Sequence, residues 1–238
     1  MTYIPFIRDV IFDWDKLEDD CYVKNIDALK RIDQINFHKP ITFFVGENGT
    51  GKSTLLEAIA IKCGLNPEGG TKNYSFHTHD DYSNLYQAIT LIRGVRREEV
   101  AYFLRAESFY NVATKEEEYA GSRSMKLHEK SHGESFLTIA NEYINCNGLY
   151  LFDEPEAALS PQRQLSLFLD IYNAAKSGAQ FIIASHSPIL MGIPDAEILS
   201  FDESKIHTCD YKDTESYKIT EMFINNRESL LRRLLEEE

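Results

Sequence analysis

A glycine-rich run at residues 46–54 has the residue types and spacing of a phosphate-binding loop. It reads Gly46, Glu47, Asn48, Gly49, Thr50, Gly51, Lys52, Ser53 and Thr54. Glycines let successive backbone N–H groups turn towards phosphate oxygens, and the start of a following helix favours the same anion. The Lys52 ammonium can reach the terminal phosphates, and the Ser53 hydroxyl can ligate Mg²⁺. The run therefore predicts a site for ATP and Mg²⁺, with all nine residues in the cradle.

Two carboxylates follow a second apolar run, at residues 149–152. They are Asp153 and Glu154. Ligands of parallel sheets bind at the carboxyl ends of the strands, so this pair is expected beside the phosphate loop. Asp153 can then hold Mg²⁺, directly or through water, while Glu154 orients and deprotonates an attacking water.

A histidine and a polar turn complete the set of candidate residues. His186 follows the apolar run 181–184, where it can donate a hydrogen bond to the γ-phosphate. The turn contains Ser131, His132, Gly133 and Glu134, and it precedes a helical pattern. Such a turn is either an anion site at a helix N-terminus or an ordinary helix cap.

The segments between these motifs alternate between strand-like and helix-like patterns. Strands are expected at 3–12, 35–37, 40–45, 74–78, 100–104, 148–152, 180–184 and 197–201. Helices are expected at 22–31, 52–64, 84–93, 134–145, 161–176, 214–224 and 227–236. The polar stretch 115–135 has few apolar anchors and is expected to be a loop. This alternation predicts an α/β fold with a mostly parallel sheet and helices on both faces.

Composition narrows the class of protein. The chain has 238 residues, 43% of them hydrophobic, which suits a single large α/β domain. Its formal net charge of −13 argues against a surface that coats nucleic acid, and the arginines at 93–105 are expected at a solvated helix end. Four widely separated cysteines, no membrane-length apolar run and no secretory signal predict a cytoplasmic protein.

Together the motifs resemble those of the ABC-type ATPases over nearly the whole chain. Residues 46–54 resemble the first nucleotide motif, Asp153 the magnesium carboxylate, Glu154 the catalytic base and His186 the switch histidine. Residues 131–134 resemble the signature sequence, and 157–160 the loop at the dimer interface. The run 154–161 is similar to the RecF, SMC and OLD-like branch, and the strings 103–109 and 131–136 to small stand-alone bacterial ATPases.

The resemblance implies more than the motifs alone. It implies a P-loop NTPase fold in one ABC-type domain, 1–238, with an N-terminal antiparallel β portion and a small helical subdomain at about 74–147. It implies a homodimer in which Ser131, Gly133 and Glu134 of one copy cap the triphosphate of the other. Glu107 takes the position of a metal-sensing Gln and is a candidate Mg²⁺ ligand. Candidates for stacking on adenine are Tyr3, Phe6, Phe12 and Tyr22.

The implied function is a nucleotide-dependent dimeric clamp that hydrolyses ATP, with Lys52, Glu154 and His186 as catalytic residues. DNA maintenance or phage defence, with DNA or a nuclease as partner, follows from the same resemblance. A transporter's nucleotide-binding subunit, a small-molecule phosphotransferase and a nucleotide-gated interaction module remain alternatives.

Overall fold

A computed structural model describes residues 3–30, 32–72, 82–109, 114, 132–144 and 147–235. The strands are β1 (Ile7–Phe12), β2 (Gln34–Asn36), β3 (Ile41–Val45), β4 (Gly70–Thr71), β5 (Ile89–Arg93), β6 (Val100–Arg105), β7 (Gly148–Asp153), β8 (Gln180–Ala184), β9 (Glu197–Ser200) and β10 (His207–Thr208). The helices are α1 (Lys52–Lys62), α2 (Leu85–Ala88), α3 (His132–Tyr143), α4 (Pro161–Lys176), α5 (Pro188–Met191) and α6 (Glu215–Leu235).

Among the described residues, the larger sheet has seven strands in the order β10-β9-β3-β8-β7-β6-β4. Its five central strands pair in parallel, whereas β4 and β10 add antiparallel edges. The smaller sheet has the order β2-β1-β5 and is antiparallel. The predicted α/β P-loop fold, with a mostly parallel sheet and an N-terminal antiparallel portion, is confirmed.

Both faces of the larger sheet are buried, which explains why its strands are continuously apolar. Successive side chains of a strand point to opposite faces. In β7, Leu149 and Leu151 enter a core shared with α1 and the smaller sheet, whereas Tyr150 and Phe152 enter a core shared with α3 and α4. These two cores fix the sheet between layers of helices.

A buried glutamine joins the two sheets. The Gln180 Oε1 accepts hydrogen bonds from the backbone N–H groups of Phe6, at 2.8 Å, and Ile7, at 2.9 Å. Its Nε2 donates to the Ile7 carbonyl at 2.8 Å. Because Gln180 is fully buried, these bonds satisfy a side chain that would otherwise destabilise the fold.

Four expected helices differ from the structure. The helix expected at 22–31 is only a short 3-10 helix, Tyr22–Asn25, because the backbone turns extended at Ile26. The helix expected at 84–93 ends at Ala88 and continues as β5, whose β-branched residues favour a strand. The two C-terminal helices form one element, α6, interrupted by a non-helical Asn226.

Two other expectations concern the middle of the chain. The strand at 74–78 and most of the loop at 115–135 lie outside the described residues. Within the range 74–147, β5 belongs to the smaller sheet and β6 to the larger one, and the division of this range as a subdomain stays a prediction. None of the described helices is both long and apolar enough to cross a membrane.

Candidate nucleotide site

Three neighbouring strands bring the predicted site residues to one edge of the larger sheet. The phosphate loop follows β3, Asp153 ends β7, and His186 lies two residues beyond β8. The strand β8 lies between β3 and β7, and Ala184 is paired with Phe44 on one side and with Asp153 on the other. The parallel register therefore gathers residues that are more than one hundred positions apart in sequence.

The phosphate loop has the backbone that its glycines permit. Gly46, Gly49 and Gly51 all have positive φ, a region that other residues rarely adopt. A Cβ at Gly46 would also lie 2.8 Å from Oδ1 of Asp202. The same Oδ1 accepts a hydrogen bond from the Glu47 N–H at 3.1 Å. Asp202 thus supports the start of the loop, a role that no local pattern in the sequence predicts.

Lys52 begins α1 and lies back across the loop. Its Nζ donates to the carbonyls of Gly46 and Glu47, each at 2.7 Å. The residue is buried, and this burial lowers the pKa of Lys52, although the nearby carboxylates of Glu154 and Asp202 oppose the shift. The ammonium is therefore held inside the loop, where a bound phosphate would meet it.

Ser53 and Asp153 are in direct contact. The Ser53 Oγ donates to Oδ1 of Asp153 at 2.8 Å. Burial raises the pKa of Asp153 to about 6, against the opposing effects of the Ser53 hydrogen bond and Arg105. The two predicted Mg²⁺ ligands are thus adjacent, although they lie one hundred residues apart.

An arginine that the sequence analysis assigned to a solvated helix end lies next to this pair. Arg105 ends β6 and is paired with Asp153 in the sheet register. Its guanidinium contacts Glu57 at 2.7 Å, Glu107 at 3.4 Å and Asp153 at 3.5 Å. The interpretation as a helix end was wrong for the whole group, because the stretch forms two strands. Arg93 ends β5, Arg105 ends β6, and Arg96 and Arg97 lie between them. The available signal in the sequence was that Arg105 directly follows the apolar run 100–104, which is predicted as a strand.

Glu154 and His186 face each other at the same edge. The Glu154 Oε1 lies 3.9 Å from Nε2 of His186, which is beyond hydrogen-bond distance. Glu154 has a left-handed backbone, with φ of 50° and ψ of 51°, and its N–H donates to the Ala184 carbonyl at 2.9 Å. Burial, followed by the charge of Lys52, lowers the pKa of His186, which favours the neutral imidazole.

A second set of residues positions the histidine. The backbone N–H of His186 donates to Oε1 of Glu156. The next residue, Ser187, donates through Oγ to Oε1 of Gln164 at 2.6 Å, and Gln164 donates to the Leu159 carbonyl at 3.1 Å. These bonds connect the end of β8 to residues 154–164. No local pattern predicts this role of Glu156 and Gln164, because their partners are distant in sequence.

A cavity of about 580 Å³ lies beside the outer part of the phosphate loop. Its lining includes Gly49, Thr50, Asp202 and Tyr22. Tyr22 is 58% exposed. Among the four candidates for adenine stacking, Phe6 and Phe12 are buried in the core, where a base cannot reach them. This geometry favours Tyr22 over Phe6 and Phe12, because Tyr22 lines the cavity.

The turn at the start of α3 packs on its own chain. A Cβ at Gly133 would lie 2.7 Å from the carbonyl of Ala158 and equally close to Nη1 of Arg163. The Glu134 Oε1 lies 3.1 Å from Nη2 of Arg163, and its side chain remains 54% exposed. Ser131 lies outside the described residues. The turn therefore contacts the loop that the resemblance places at a dimer interface.

The donor set fits Mg²⁺. The Ser53 hydroxyl and the Asp153 carboxylate offer hard oxygen donors beside the phosphate loop. Among the described residues no group of three His, Cys, Asp or Glu side chains is arranged to hold a metal ion. Mg²⁺ usually takes one or two protein ligands and completes its shell with phosphates and water.

Comparisons with known proteins place the chain in a family. A family model for an AAA domain matches residues 21–148, more than half of the chain. A second AAA-domain model, whose description also names the AbiEii toxin and the type IV TA system, matches residues 137–192. No curated protein matches the sequence.

Two solved structures are also similar to this chain. One is described as a metal-chelate type ABC transporter in an inward-facing conformation; it is 17% identical, with a TM-score of 0.43, over 89% of this chain and 83% of that chain. The other is the SMC head domain from Thermotoga maritima, 14% identical, with a TM-score of 0.44, over 85% of this chain and 98% of that chain. The first family model matches residues 21–148, which contain the phosphate loop, so the chain belongs to the AAA-domain family. This match confirms the ABC/AAA class of ATPases that was predicted from the motifs.

Proposed function

We propose that this protein hydrolyses ATP in a Mg²⁺-dependent reaction and that ATP joins two copies into a clamp. The observation that carries the proposal is the contact between Ser53 Oγ and Asp153 Oδ1, at 2.8 Å, beside Lys52, Glu154 and His186. Residues from three strand ends supply a phosphate cradle, a metal carboxylate, a base and a hydrogen-bond donor in one place.

Each of these residues has a defined task. The nine residues 46–54 bind the phosphates, and Tyr22 stacks on the adenine. Ser53 and Asp153 hold Mg²⁺, with Glu107 as a further candidate ligand. When bound, the metal neutralises charge on the phosphate oxygens. Glu154 accepts a proton from the attacking water, while Lys52 and the neutral His186 stabilise the charge that develops on the γ-phosphate.

The second copy completes the site in this proposal. Gly133 packs on Ala158 of the loop 155–160 and Glu134 contacts Arg163 of α4 in their own chain, so both segments can belong to one interface. Ser131, Gly133 and Glu134 cap the triphosphate that the other copy binds, because backbone N–H groups at a helix start attract anions. Hydrolysis removes the γ-phosphate and with it the contact between the copies.

A Glu154→Gln variant tests both parts of the proposal. Losing the base should reduce the ATPase rate by about 10²- to 10⁴-fold while ATP binding remains. The variant should therefore accumulate as a dimer with ATP, which light scattering after size exclusion measures. Lys52→Ala is the control and should stay monomeric. A Glu154→Gln protein that remains monomeric at saturating ATP contradicts the clamp, whereas full ATPase activity contradicts the assignment of the base.

The cellular setting is proposed on the family alone. DNA maintenance or phage defence suits the resemblance to the RecF, SMC and OLD-like branch, and the second family model's description names a toxin and a type IV TA system. With a net charge of −13, any DNA contact is expected to be local or through a nuclease partner. Comparing the ATPase rate with and without duplex DNA tests for DNA contact. A rate that DNA does not stimulate would favour a protein partner.

A further inference from the structure

Arg105 contacts two of the three residues predicted to hold the metal. Its Nη2 lies 3.4 Å from the Glu107 carboxylate, and its Nε lies 3.5 Å from Oδ2 of Asp153. The third predicted ligand, Ser53, donates to the other oxygen of Asp153. A guanidinium charge is therefore placed at the oxygens to which a divalent cation would bind.

A separate contact anchors the guanidinium. The Arg105 Nη1 lies 2.7 Å from Oε2 of Glu57, whose other oxygen accepts the Ser83 N–H at 3.0 Å. Glu57 is buried on α1, so this pair is tight and directional. By contrast, Nε of Arg105 has no hydrogen bond among the described residues, and its contact with Asp153 is long. The short contact with Glu57 therefore fixes the position of Arg105, and the longer contact with Asp153 is the weaker of the two.

This arrangement opposes a free divalent cation. A positive charge that cannot leave, a few ångströms from Asp153, repels a second cation at the same carboxylate. A triphosphate brings negative charge of its own, which offsets this repulsion. We propose that Arg105 makes metal binding conditional on nucleotide: it weakens binding of a free divalent cation to Asp153 and so favours the metal that arrives with ATP.

The inference rests on the proposed function, because it assumes that Asp153 holds Mg²⁺ with ATP. In this role Arg105 is a positioning residue: it acts on the metal through Asp153 and Glu107. Mn²⁺ is a suitable probe, since it prefers the same carboxylate and hydroxyl oxygens and its paramagnetism allows free and bound ion to be counted.

The experiment measures Mn²⁺ binding without nucleotide, followed by binding of Mn²⁺ with a non-hydrolysable ATP analogue. Arg105→Gln should bind free Mn²⁺ at least about tenfold more tightly than the wild-type protein, because the local repulsion is removed. Arg96→Gln is the matched control. Arg96 is a partly buried arginine that donates to the neutral oxygens of Gly178 and Asn147, so its loss should leave Mn²⁺ binding unchanged.

A second pair of variants covers the case in which Arg105→Gln does not fold. Removing one partner of a buried ion pair is strongly destabilising, whereas replacing both is tolerated better. The double variant Glu57→Gln with Arg105→Gln is therefore compared with Glu57→Gln alone. The double variant should again bind free Mn²⁺ about tenfold more tightly.

Two outcomes separate the inference from the function on which it rests. If Arg105→Gln, or the double variant, binds free Mn²⁺ no more tightly than its reference while binding with the ATP analogue is intact, the role of Arg105 is overturned. If the wild-type protein and Arg96→Gln both fail to bind Mn²⁺ with the analogue, the proposed nucleotide site is wrong instead.

Discussion

The phosphate loop, residues 46–54, and the carboxylate turn, residues 153–156, both contain left-handed backbone. In the loop this conformation falls on Gly46, Gly49 and Gly51, which adopt it without strain. In the turn it falls on Glu154, where a side chain makes the same conformation cost about 1 kcal/mol. The backbone of the loop is therefore unstrained, because glycines occupy its left-handed positions. The strained backbone of the turn must instead be stabilised by contacts with the rest of the protein.

Two hydrogen bonds connect the turn to the end of β8 and the residues that follow it. The Glu154 N–H donates to Ala184 in β8, and the Glu156 carboxylate accepts from the N–H of His186. Strain that persists at one residue is typical of functional positions. Here it fixes the carboxylate that we propose as the base. The backbone of the phosphate site is therefore specified mainly by local sequence, whereas that of the hydrolytic site is specified by tertiary contacts.

Replacing a loop glycine should have the largest effect. Gly46→Ala combines a positive φ with a Cβ 2.8 Å from Asp202, so we expect a loss of about 3 kcal/mol in the free energy of unfolding. Gly49→Ala, where a Cβ meets nothing within 4 Å, should cost only about 1 kcal/mol. Urea unfolding measures both. Equal losses would mean that Asp202 yields to the new side chain.

Removal of the loop lysine should come next. Lys52→Ala should raise the dissociation constant for ATP at least about 30-fold, close to 2 kcal/mol, because charge-assisted bonds to the phosphates are lost. Lys62→Ala, at the exposed end of the same helix, is the control. Calorimetric titration measures both. A change below about threefold in Lys52→Ala would remove the lysine from the phosphate site.

Acid should weaken metal binding at the carboxylate turn. Burial raises the pKa of Asp153 to about 6, so this carboxyl takes up a proton at a higher pH than an exposed aspartate. Because Mg²⁺ needs the ionised form, affinity for Mg²⁺ with ATP should be constant above about pH 7. Below pH 6 it should fall by up to about tenfold per pH unit.

Asp153→Asn is the control for this titration. The variant should bind Mg²⁺ more weakly and without the change near pH 6. If the wild-type affinity is the same at pH 5 and pH 7.5, Asp153 is not the carboxylate that the metal requires.

Relief of the strain at Glu154 should have the smallest effect. Glu154→Gly should raise the free energy of unfolding by about 1 kcal/mol, because glycine accepts the left-handed backbone. Glu154→Ala, which keeps a Cβ, should give no such gain, and both variants should lose ATPase activity. Thermal unfolding compares the two. Equal stability of the two variants would show that the backbone at 154 is not strained.

The sequence was a good guide to most elements and a poor guide to others. The apolar strands β3, β7 and β8 and the helix α4 lie close to their predicted bounds, because both their length and their pattern are characteristic. The helix expected at 84–93 failed at Ile89, where pairing with β1 decides the conformation. The break expected between 224 and 227 falls on Asn226, a residue that favours non-helical backbone.

By itself the sequence determined the phosphate loop and the family, because a strand, a glycine-rich turn and a helix start act within a few residues of one another. It also identified Asp153, Glu154 and His186 as candidate site residues, because each directly follows or lies just beyond an apolar strand pattern. Only the tertiary structure brought Ser53 to Asp153, placed Arg105 between Glu57 and Asp153, and set Asp202 under the loop. These contacts depend on which strands are neighbours and in what register, and long-range pairing leaves no local pattern in a single sequence.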